Sequence, residues 1–161
     1  MKLSGDLSNV FVAFGSNVGD RRKNIDLALQ SIRQHPALTL IQTTEPIQSK
    51  AETLDGKAQR EYLNGVLQLR TELTPMELLK ELKLIEEKLG RRTNEQRWQP
   101  RTIDLDILFF GNQVIQTRAL KIPHPLLHRR HFVLKPLLEL APTFLHPLFK
   151  QTVSQLYQAL A

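Results

Sequence analysis

Two aspartates stand two positions apart in an otherwise apolar segment. Asp104 and Asp106 fall within Thr102–Phe110, whose alternating pattern predicts a β-strand. Residues two apart on a strand share a face at a spacing of roughly 6.6–6.8 Å, so the two carboxylates repel each other unless cations lie nearby. Paired hard oxygens suit Mg²⁺, which completes its shell with water and substrate phosphates. The alternative is a solvated strand face, but Leu108 and Phe110 continue that face as apolar residues.

The segment before these acids is strongly basic. Residues 91–101 contain four arginines and one glutamate, a local charge of +3. Arginine offers a rigid fork of donors that matches phosphate oxygens. Trp98 could stack on a base or fill a gap in the core, and the core is the more common place for a single tryptophan. Arginines and paired acids at one sheet edge together predict a Mg²⁺–polyphosphate site, which transfers phosphoryl groups mainly by positioning and charge neutralisation.

Two other motifs are less specific. The residues Gly15-Ser16-Asn17 follow a predicted strand but lack the Walker lysine and the GxGxxG spacing, so they indicate a tight turn. Tyr62 and Asn64 share a strand face, where an aromatic ring and an amide could hold a flat heterocycle. Without further information, polar surface residues remain the simpler explanation.

Three histidines stand at helical intervals. His124, His128 and His131 have a spacing that could bind Zn²⁺. Prolines flank the first of them, however, and no nearby carboxylate completes a ligand set. The pattern therefore favours one histidine that donates to a phosphate over three that bind a metal.

The composition describes a folded chain. The protein has 161 residues, a length typical of a single domain over 1–161, and 41% of its residues are apolar and 24% charged, which excludes a disordered chain. The longest apolar run, Val10 to Phe14, is too short to span a bilayer, and no secretion signal follows the first residues. The absence of cysteine excludes disulfides and thiolate metal sites. We therefore expect a soluble, cytoplasmic protein, whose net charge of +6 favours an anionic partner.

The predicted elements alternate in a recognisable order. Helices are expected after an Asp20 cap and after the capping box Thr74-Pro75-Met76-Glu77, and residues 47–60 are expected to form a mobile loop. The predicted strands are Asn9–Phe14, Leu38–Thr44, Tyr62–Thr71 and Thr102–Phe110, the last with Ile103, Leu105, Ile107 and Phe109 on one face. A turn at Gly111-Asn112 predicts a hairpin into Gln113–Gln116, and short helices are expected near Phe132–Leu140 and Val153–Leu160. This order predicts an α+β, ferredoxin-like βαββαβ antiparallel sheet with both helices on one face, plus a C-terminal hairpin and helical extension.

A longer motif contains the acids and part of the basic segment. Residues 97–108, Arg-Trp-Gln-Pro-Arg-Thr-Ile-Asp-Leu-Asp-Ile-Leu, closely resemble the signature of the 6-hydroxymethyl-7,8-dihydropterin pyrophosphokinases of the folate pathway. Further matches run along the chain in Phe14–Asn17, Thr44–Pro46, Tyr62–Asn64, Ile122–Pro125 and Arg130–Leu134. The resemblance implies transfer of the terminal pyrophosphoryl group of ATP to the pterin's hydroxymethyl oxygen, with release of AMP. It also implies a stand-alone monomer with small-molecule substrates and no nucleic-acid or membrane partner.

The resemblance also implies roles for individual residues. Asp104 and Asp106 match ligands of two Mg²⁺ ions, and Arg91 and Arg101 match catalytic loop arginines that contact the phosphates. The residues that match ATP-side positions are Glu86, Arg97, Trp98, Ile107, His124 and Arg130. Those that match the pterin pocket are Thr44, Ile47, Tyr62, Asn64 and Phe132. The chain departs from the family at Thr93, Gln99, Ala119 and Lys121, where members often carry an arginine, a glycine, a basic residue and a hydroxyl residue.

Two other functions fit parts of the sequence. An RNA-binding module on the same fold would explain the net charge and the arginine-rich segment. Its third strand lacks the aromatic pattern of RNA-binding sheets, however, and Asp104 and Asp106 would repel phosphates without a metal. A protein that keeps the fold but has lost catalysis is the other alternative, against which the two acids and the arginines argue.

Overall fold

The computed structural model describes residues 7–50, 60–90 and 102–160. Its helices are α1 (Arg21–Gln34), α2 (Pro75–Lys88), α3 (His131–Leu140) and α4 (Val153–Leu160), and a 3₁₀ turn spans Leu127–Arg129. Its strands are β1 (Ser8–Ser16), β2 (Leu38–Thr43), β3 (Ile47–Ser49), β4 (Tyr62–Thr71), β5 (Asp104–Phe110), β6 (Ile115–Gln116) and β7 (Lys121–Ile122). None of the described helices has the length and apolar character that a membrane crossing requires.

The main sheet has the order β2-β4-β1-β5, and every neighbouring pair is antiparallel. β3 pairs with the start of β4, on the same side as β2. If the three-residue β3 is set aside as an addition to the edge of β4, the chain order is β-α-β-β-α-β, and with this sheet order it is the ferredoxin-like arrangement that the sequence predicts. β6 and β7 form a separate two-stranded hairpin.

The helices α1 and α2 cover one face of the sheet. Asp20 accepts a hydrogen bond from the backbone N–H of Lys23, and Thr74 and Glu77 cap α2 reciprocally, so local sequence fixes both starts. The apolar stripes of both helices pack against one face of the strands. This first core contains, among others, Ile25, Leu29, Ile32, Leu78, Leu82, Ile85, Val12, Phe14, Leu67, Leu69, Leu105 and Ile107.

A second core lies on the other face, where α3 and α4 pack. It contains Phe11, Val66, Leu108, Phe109, Val133, Leu134, Leu137, Val153 and Leu156. α3 contacts β3 and β4, and the polar residues at the ends of β3, β4 and β5 lie on this same face. The second core therefore stops short of the acid-bearing end of β5.

A register shift in β5 corrects one prediction. The pairing of β1 with β5 shifts between Phe11 and Val12, so β5 contributes an extra residue there. Because one extra residue reverses the side-chain alternation, Phe109 joins the second core and Phe110 the first. The expectation that Phe109 shares a face with Ile107, and Phe110 with the acids, is wrong.

Three local predictions are also corrected. Residues 47–49 form β3 rather than a loop, because the start of β4 offers them a strand to pair with. Within the same predicted loop, residues 51–59 lie outside the described residues. Gly15 and Ser16 belong to β1, so the turn begins after them. Gly111 makes a turn at φ 52°, but β6 pairs with β7 and not back onto β5.

Candidate active site

Strand register places residues of four strands in one line across the sheet. Asp104 on β5 is opposite Gly15 on β1, Gly15 is opposite Asn64 on β4, and Asn64 is opposite Ile47 on β3. Directly opposed residues point to the same face, so we call this line the acid–amide row. With strands about 4.8 Å apart, the backbones of Asp104 and Asn64 are roughly 10 Å apart.

Small residues of β1 separate the acids on β5 from the side chains on β4, both in the acid–amide row and in the next row. Gly15 separates Asp104 from Asn64, and Ala13 separates Asp106 from Val66 in the next row. A Cβ added to Gly15 would lie 2.9 Å from Asn64 Oδ1 and 3.4 Å from Tyr62 Cδ1. The missing side chain therefore leaves space beside the carboxamide, on the side that faces the acids.

The two acids are accessible at the end of β5. Asp104 is half-buried and Asp106 is exposed, and their positions on β5 put both carboxylates on the α3 face of the sheet. Two hard oxygen donors with room for water and phosphate are what Mg²⁺ requires of a protein. Both carboxylates could therefore hold such a cation.

A cleft of about 370 Å³ opens beside the acids. It lies between α2, the outer edge of β5 and the β6–β7 hairpin, and it brings together four residues that the sequence predicts for the site: Glu86, Asp106, Ile107 and His124. Its remaining walls are Leu79, Lys83, Leu105, Arg118, Ala119, Leu120, Lys121 and Pro125. The cleft thus places Asp106 beside three of the six residues predicted for the ATP side, Glu86, Ile107 and His124.

The outer edge of β5 contributes backbone groups to this cleft. The buried Glu86 carboxylate accepts a hydrogen bond from the N–H of Leu105 at 2.8 Å, and the N–H of His124 donates to the carbonyl of Leu108 at 3.0 Å. Backbone groups alternate in direction along a strand, so the N–H and C=O of Ile107 point to the same edge as the N–H of Leu105. Ile107 can therefore offer one donor and one acceptor to a flat ring in the cleft.

The surroundings of His124 favour a neutral imidazole ring that can donate a hydrogen bond. Burial, with a smaller contribution from the charge of Arg130, lowers the pKa of His124 to about 4. Its Nδ1 accepts a hydrogen bond from the N–H of Leu126 at 3.1 Å, which assigns the single proton of the neutral ring to Nε2. A neutral ring with its proton on Nε2 can donate a hydrogen bond to an oxygen in the cleft.

The predicted pterin residues lie at the other end of the acid–amide row. Tyr62 and Asn64 on β4 and Ile47 on β3 share one face, and Asn64 donates through Nδ2 to Ser49 Oγ. Thr44 is held at the end of β2 because its backbone N–H donates to the Val66 carbonyl and its Oγ1 accepts from the Val66 N–H, both at 3.0 Å. These contacts fix the backbone on which a ring would rest.

The start of α3 adds an aromatic ring and a cation. The guanidinium carbon of Arg130 lies 5.6 Å from the centre of the Phe132 ring, a cation–π distance. α3 packs against β3 and β4, which brings this pair toward the amide end of the row. Arg130 is half-buried, and its charge also acts on His124.

Some predicted site residues have no described position, and the structure also places near the site several residues that the sequence analysis did not predict there. Arg91, Arg97, Trp98 and Arg101 lie outside the described residues. The sequence did not indicate that Lys83, Arg118 and Lys121 line one cleft, since only the β6–β7 pairing and the packing of α2 bring them together. Ser49 was missed because its segment was predicted to be a loop.

The three histidines do not converge on one point. His124 binds the Leu126 N–H, the His128 ring contacts the Phe149 ring edge-on, and His131 Nε2 lies 3.2 Å from the Tyr157 hydroxyl. Within the described ranges, no three histidine, aspartate or glutamate side chains could hold a metal ion together. Any cation at the acids would therefore complete its shell with other ligands.

Comparison with known proteins supports one family. The family model for 7,8-dihydro-6-hydroxymethylpterin-pyrophosphokinase (HPPK) matches residues 11–142. The chain belongs to the HPPK family. Two relatives, each named 2-amino-4-hydroxy-6-hydroxymethyldihydropteridine pyrophosphokinase, come from Aquifex aeolicus and Bacillus subtilis. The first is 38% identical over 92% of this chain and 90% of its own length, and the second is 41% identical over 81% and 76%.

Solved structures of HPPK-DHPS proteins share the fold. A crystal structure of an HPPK-DHPS in complex with substrates superimposes with a TM-score of 0.75 at 14% identity and covers 96% of this chain. The Plasmodium falciparum HPPK-DHPS with pteroate superimposes with a TM-score of 0.71 at 15% identity and covers 98%. This chain spans 44% and 43% of those two chains. At such low identity the likeness concerns the HPPK fold alone.

Proposed function

We propose that this chain carries out the HPPK reaction. It transfers the terminal pyrophosphoryl group of ATP to the hydroxymethyl oxygen of 6-hydroxymethyl-7,8-dihydropterin, for folate biosynthesis. The substrate oxygen forms a bond to the β-phosphorus, the bond from that phosphorus to the α-phosphate oxygen breaks, AMP leaves and the hydroxyl proton is lost. The acid–amide row is the observation that carries the proposal, because it places Asp104, with Asp106 in the next row, on the same face as Asn64, with only Gly15 between Asp104 and the amide.

Asp104 and Asp106 are the residues that would hold two Mg²⁺ ions. When bound, the ions neutralise the triphosphate and the charge that develops on the leaving AMP. The carboxylates themselves fix where a polyphosphate can approach the sheet, at the end of the cleft that Asp106 lines. A primary alcohol aligned with the phosphorus needs little further activation, so alignment and charge supply most of the rate.

The nucleotide occupies the cleft beside β5. The outward N–H and C=O of Ile107 hydrogen-bond the edge of the adenine ring, and Glu86 holds β5 in place through the Leu105 N–H. His124 donates from Nε2 to a ribose or phosphate oxygen. The three cations Lys83, Arg118 and Lys121, which we call the basic rim, add positive charge around the cleft. They supply the charge that Ala119 lacks relative to other members of the family.

The pterin occupies the amide end of the row. Asn64 hydrogen-bonds the ring, Tyr62, Ile47 and Thr44 form its walls, and Phe132 stacks on it. The guanidinium of Arg130 lies against the Phe132 ring and adds positive charge at this end of the site. Ring and phosphate sites on the two sides of Gly15 keep the hydroxymethyl group between them.

The arginine-rich segment completes the site. Arg91 and Arg101 contact the phosphates during turnover, and Arg97 and Trp98 contact the nucleotide, as the resemblance to the family implies. Guanidinium groups suit these positions because they offer several fixed donors to phosphate oxygens. The protein acts as one monomeric, cytoplasmic domain over 1–161, with small-molecule substrates and no nucleic-acid or membrane partner.

One assay tests this proposal directly. The protein is incubated with ATP, Mg²⁺ and 6-hydroxymethyl-7,8-dihydropterin, and the nucleotide products are separated. AMP should appear in step with the pterin diphosphate, and only when both Mg²⁺ and the pterin are present. Formation of ADP in place of AMP, or no turnover while RNA binds with a steep salt dependence, would contradict the proposal.

A further inference from the structure

We propose that Ser49 is a positioning residue that orients the Asn64 carboxamide for the pterin ring. The proposal rests on the proposed function, since it gives Asn64 a ring to bind. Ser49 itself need not touch the substrate. Its role follows from three observations: the contact with Asn64, the burial of Asn64 and the space above Gly15.

The contact is built into the sheet. β3 and β4 pair so that Ser49 is opposite Tyr62 and Ile47 is opposite Asn64, which puts all four side chains on one face. Asn64 Nδ2 donates a hydrogen bond to Ser49 Oγ. Asn64 is only 8% exposed, so water cannot easily replace a lost partner.

The contact fixes which way the amide points. A carboxamide has one acceptor oxygen and two N–H donors, and rotation by half a turn exchanges them. With one N–H directed to Ser49, the oxygen lies over Gly15, 2.9 Å from where a Cβ would stand. The oxygen and the second N–H then remain on the ring side, as an adjacent acceptor and donor.

This pair matches the chemistry of a pterin. An aminopyrimidinone ring presents neighbouring N–H and C=O groups along one edge, so a carboxamide in the correct orientation makes two hydrogen bonds and a reversed one makes two mismatches. Ser49 thus adds specificity without adding a ligand contact. Its effect should fall on pterin binding and leave ATP binding unchanged, because the cleft beside β5 lies beyond Gly15 and β1.

The test compares Ser49→Ala, Ser49→Thr and a control, Gln48→Ala, whose exposed side chain lies on the same strand. Equilibrium binding of the dihydropterin is measured by calorimetry with a nonhydrolysable ATP analogue present, alongside KM and kcat for AMP release. Ser49→Ala should weaken pterin affinity roughly three- to tenfold, the value of one hydrogen bond, with kcat and the KM for ATP unchanged. Ser49→Thr, which keeps the hydroxyl, should restore most of the affinity, and Gln48→Ala should behave as wild type.

A double-mutant cycle separates orientation from general stability. In an Asn64→Ala background, Ser49→Ala should have no further effect on pterin affinity, because the amide is gone. Equal effects in both backgrounds, an unchanged affinity in Ser49→Ala, or no recovery in Ser49→Thr would each overturn the positioning role. Wild-type protein that binds no pterin would overturn the proposed function as well, whereas active wild type with an unaffected Ser49→Ala variant would overturn only this inference.

Discussion

Gly15 lies in the middle of the acid–amide row, between Asp104 and Asn64. Its backbone pairs with Asn64 on one side and Asp104 on the other, and a methyl group there would press on Asn64 Oδ1 at 2.9 Å. Such a contact is closer than real Cβ atoms tolerate, so either the amide or the strand must move. Glycine at this position therefore leaves Asn64 Oδ1 unobstructed on the side that faces the acids.

Gly15→Ala should lower kcat/KM for the pterin by roughly tenfold or more, because displacing one well-placed binding group costs at least about 1.4 kcal/mol. The KM for ATP should change little. Steady-state kinetics with each substrate varied separately measures both. In an Asn64→Ala background the same substitution should cost much less, and an equally large loss there would show that the clash involves other atoms.

Asp104→Asn and Asp106→Asn should each reduce AMP formation by roughly 100-fold or more, the scale on which removal of one charge-stabilising group acts. Asparagine keeps the size of the side chain but removes the negative charge that a divalent cation requires. Rates are followed over a Mg²⁺ titration, with Asp26→Asn on the exposed side of α1 as the control. Activity close to wild type in both variants would refute the metal-binding role.

For the candidate-site residues that lie on strands, the sequence predicted which side chains share a face, whereas their binding roles came from the resemblance to the family and stay predictions. Period-two spacing alone places Asp104 with Asp106, and Tyr62 with Asn64, on common faces. Ser49 and the basic rim were not predictable, since their neighbours arise from long-range pairing. No local pattern in the sequence indicates that Lys83 and Lys121 line the same cleft.

At the scale of elements, capped helices were the most predictable part and short strands the least. α1 and α2 carry their own caps and apolar stripes, so their bounds follow from local chemistry. β3 has three residues and exists only because β4 offers an edge to pair with. The extra residue in β5 is equally hidden, because Ile107–Phe110 is apolar throughout and its alternation cannot be read.

The β6–β7 hairpin brings two cations, Arg118 and Lys121, to the cleft beside β5. Arg118 and Lys121 are exposed, so each should contribute modestly and in a salt-dependent way. The double variant Arg118→Ala/Lys121→Ala should raise the KM for ATP roughly three- to tenfold at low salt, with less effect at about 0.5 M salt, and leave the KM for the pterin unchanged. Lys80→Ala, an exposed lysine of α2 outside the cleft lining, is the control. An effect that salt does not weaken would argue against charge as its cause.

At the scale of the whole molecule, a buried histidine in the segment between α3 and α4 packs against the second core. His146 is 2% exposed, its ring stacks on Phe149 at 4.2 Å and meets Phe109 edge-on, and its Nδ1 accepts from the N–H groups of Leu148 and Phe149. Burial, with a smaller contribution from the charge of His128, lowers the pKa of His146 to about 4. The folded protein therefore keeps this ring neutral.

Stability should fall as the pH drops from about 6.5 toward 4. An unfolded histidine takes up a proton near pH 6.5, whereas folded His146 resists it down to about 4, so protons favour the unfolded chain in this window. The contribution of His146 to the free energy of unfolding is fully present above pH 6.5. His124 adds to the same fall in stability with decreasing pH, because burial also lowers its pKa to about 4. Each such group contributes up to about 1.4 kcal/mol per pH unit.

Urea unfolding at pH 5 and pH 7.5 measures this slope. His146→Asn places an amide oxygen near the position of Nδ1, keeps an acceptor for the two N–H groups and removes the titration. The variant should therefore lose less stability between pH 7.5 and pH 5 than the wild type. Gln113→Asn, an exposed substitution that changes no ionisable group, should keep the wild-type slope, and parallel slopes for all three proteins would refute the role of His146.

The outer edge of β5 has a further consequence for the molecule's behaviour in a crowded cell. Unpaired strand edges invite other chains to add a strand, which is a common start of aggregation. Here the Glu86 carboxylate accepts from the N–H of Leu105 and the N–H of His124 donates to the carbonyl of Leu108, so these two contacts flank a short stretch of the edge that includes Ile107. The edge can therefore offer main-chain hydrogen bonds to a small flat ligand, while the two contacts disfavour pairing with a strand of another polypeptide chain.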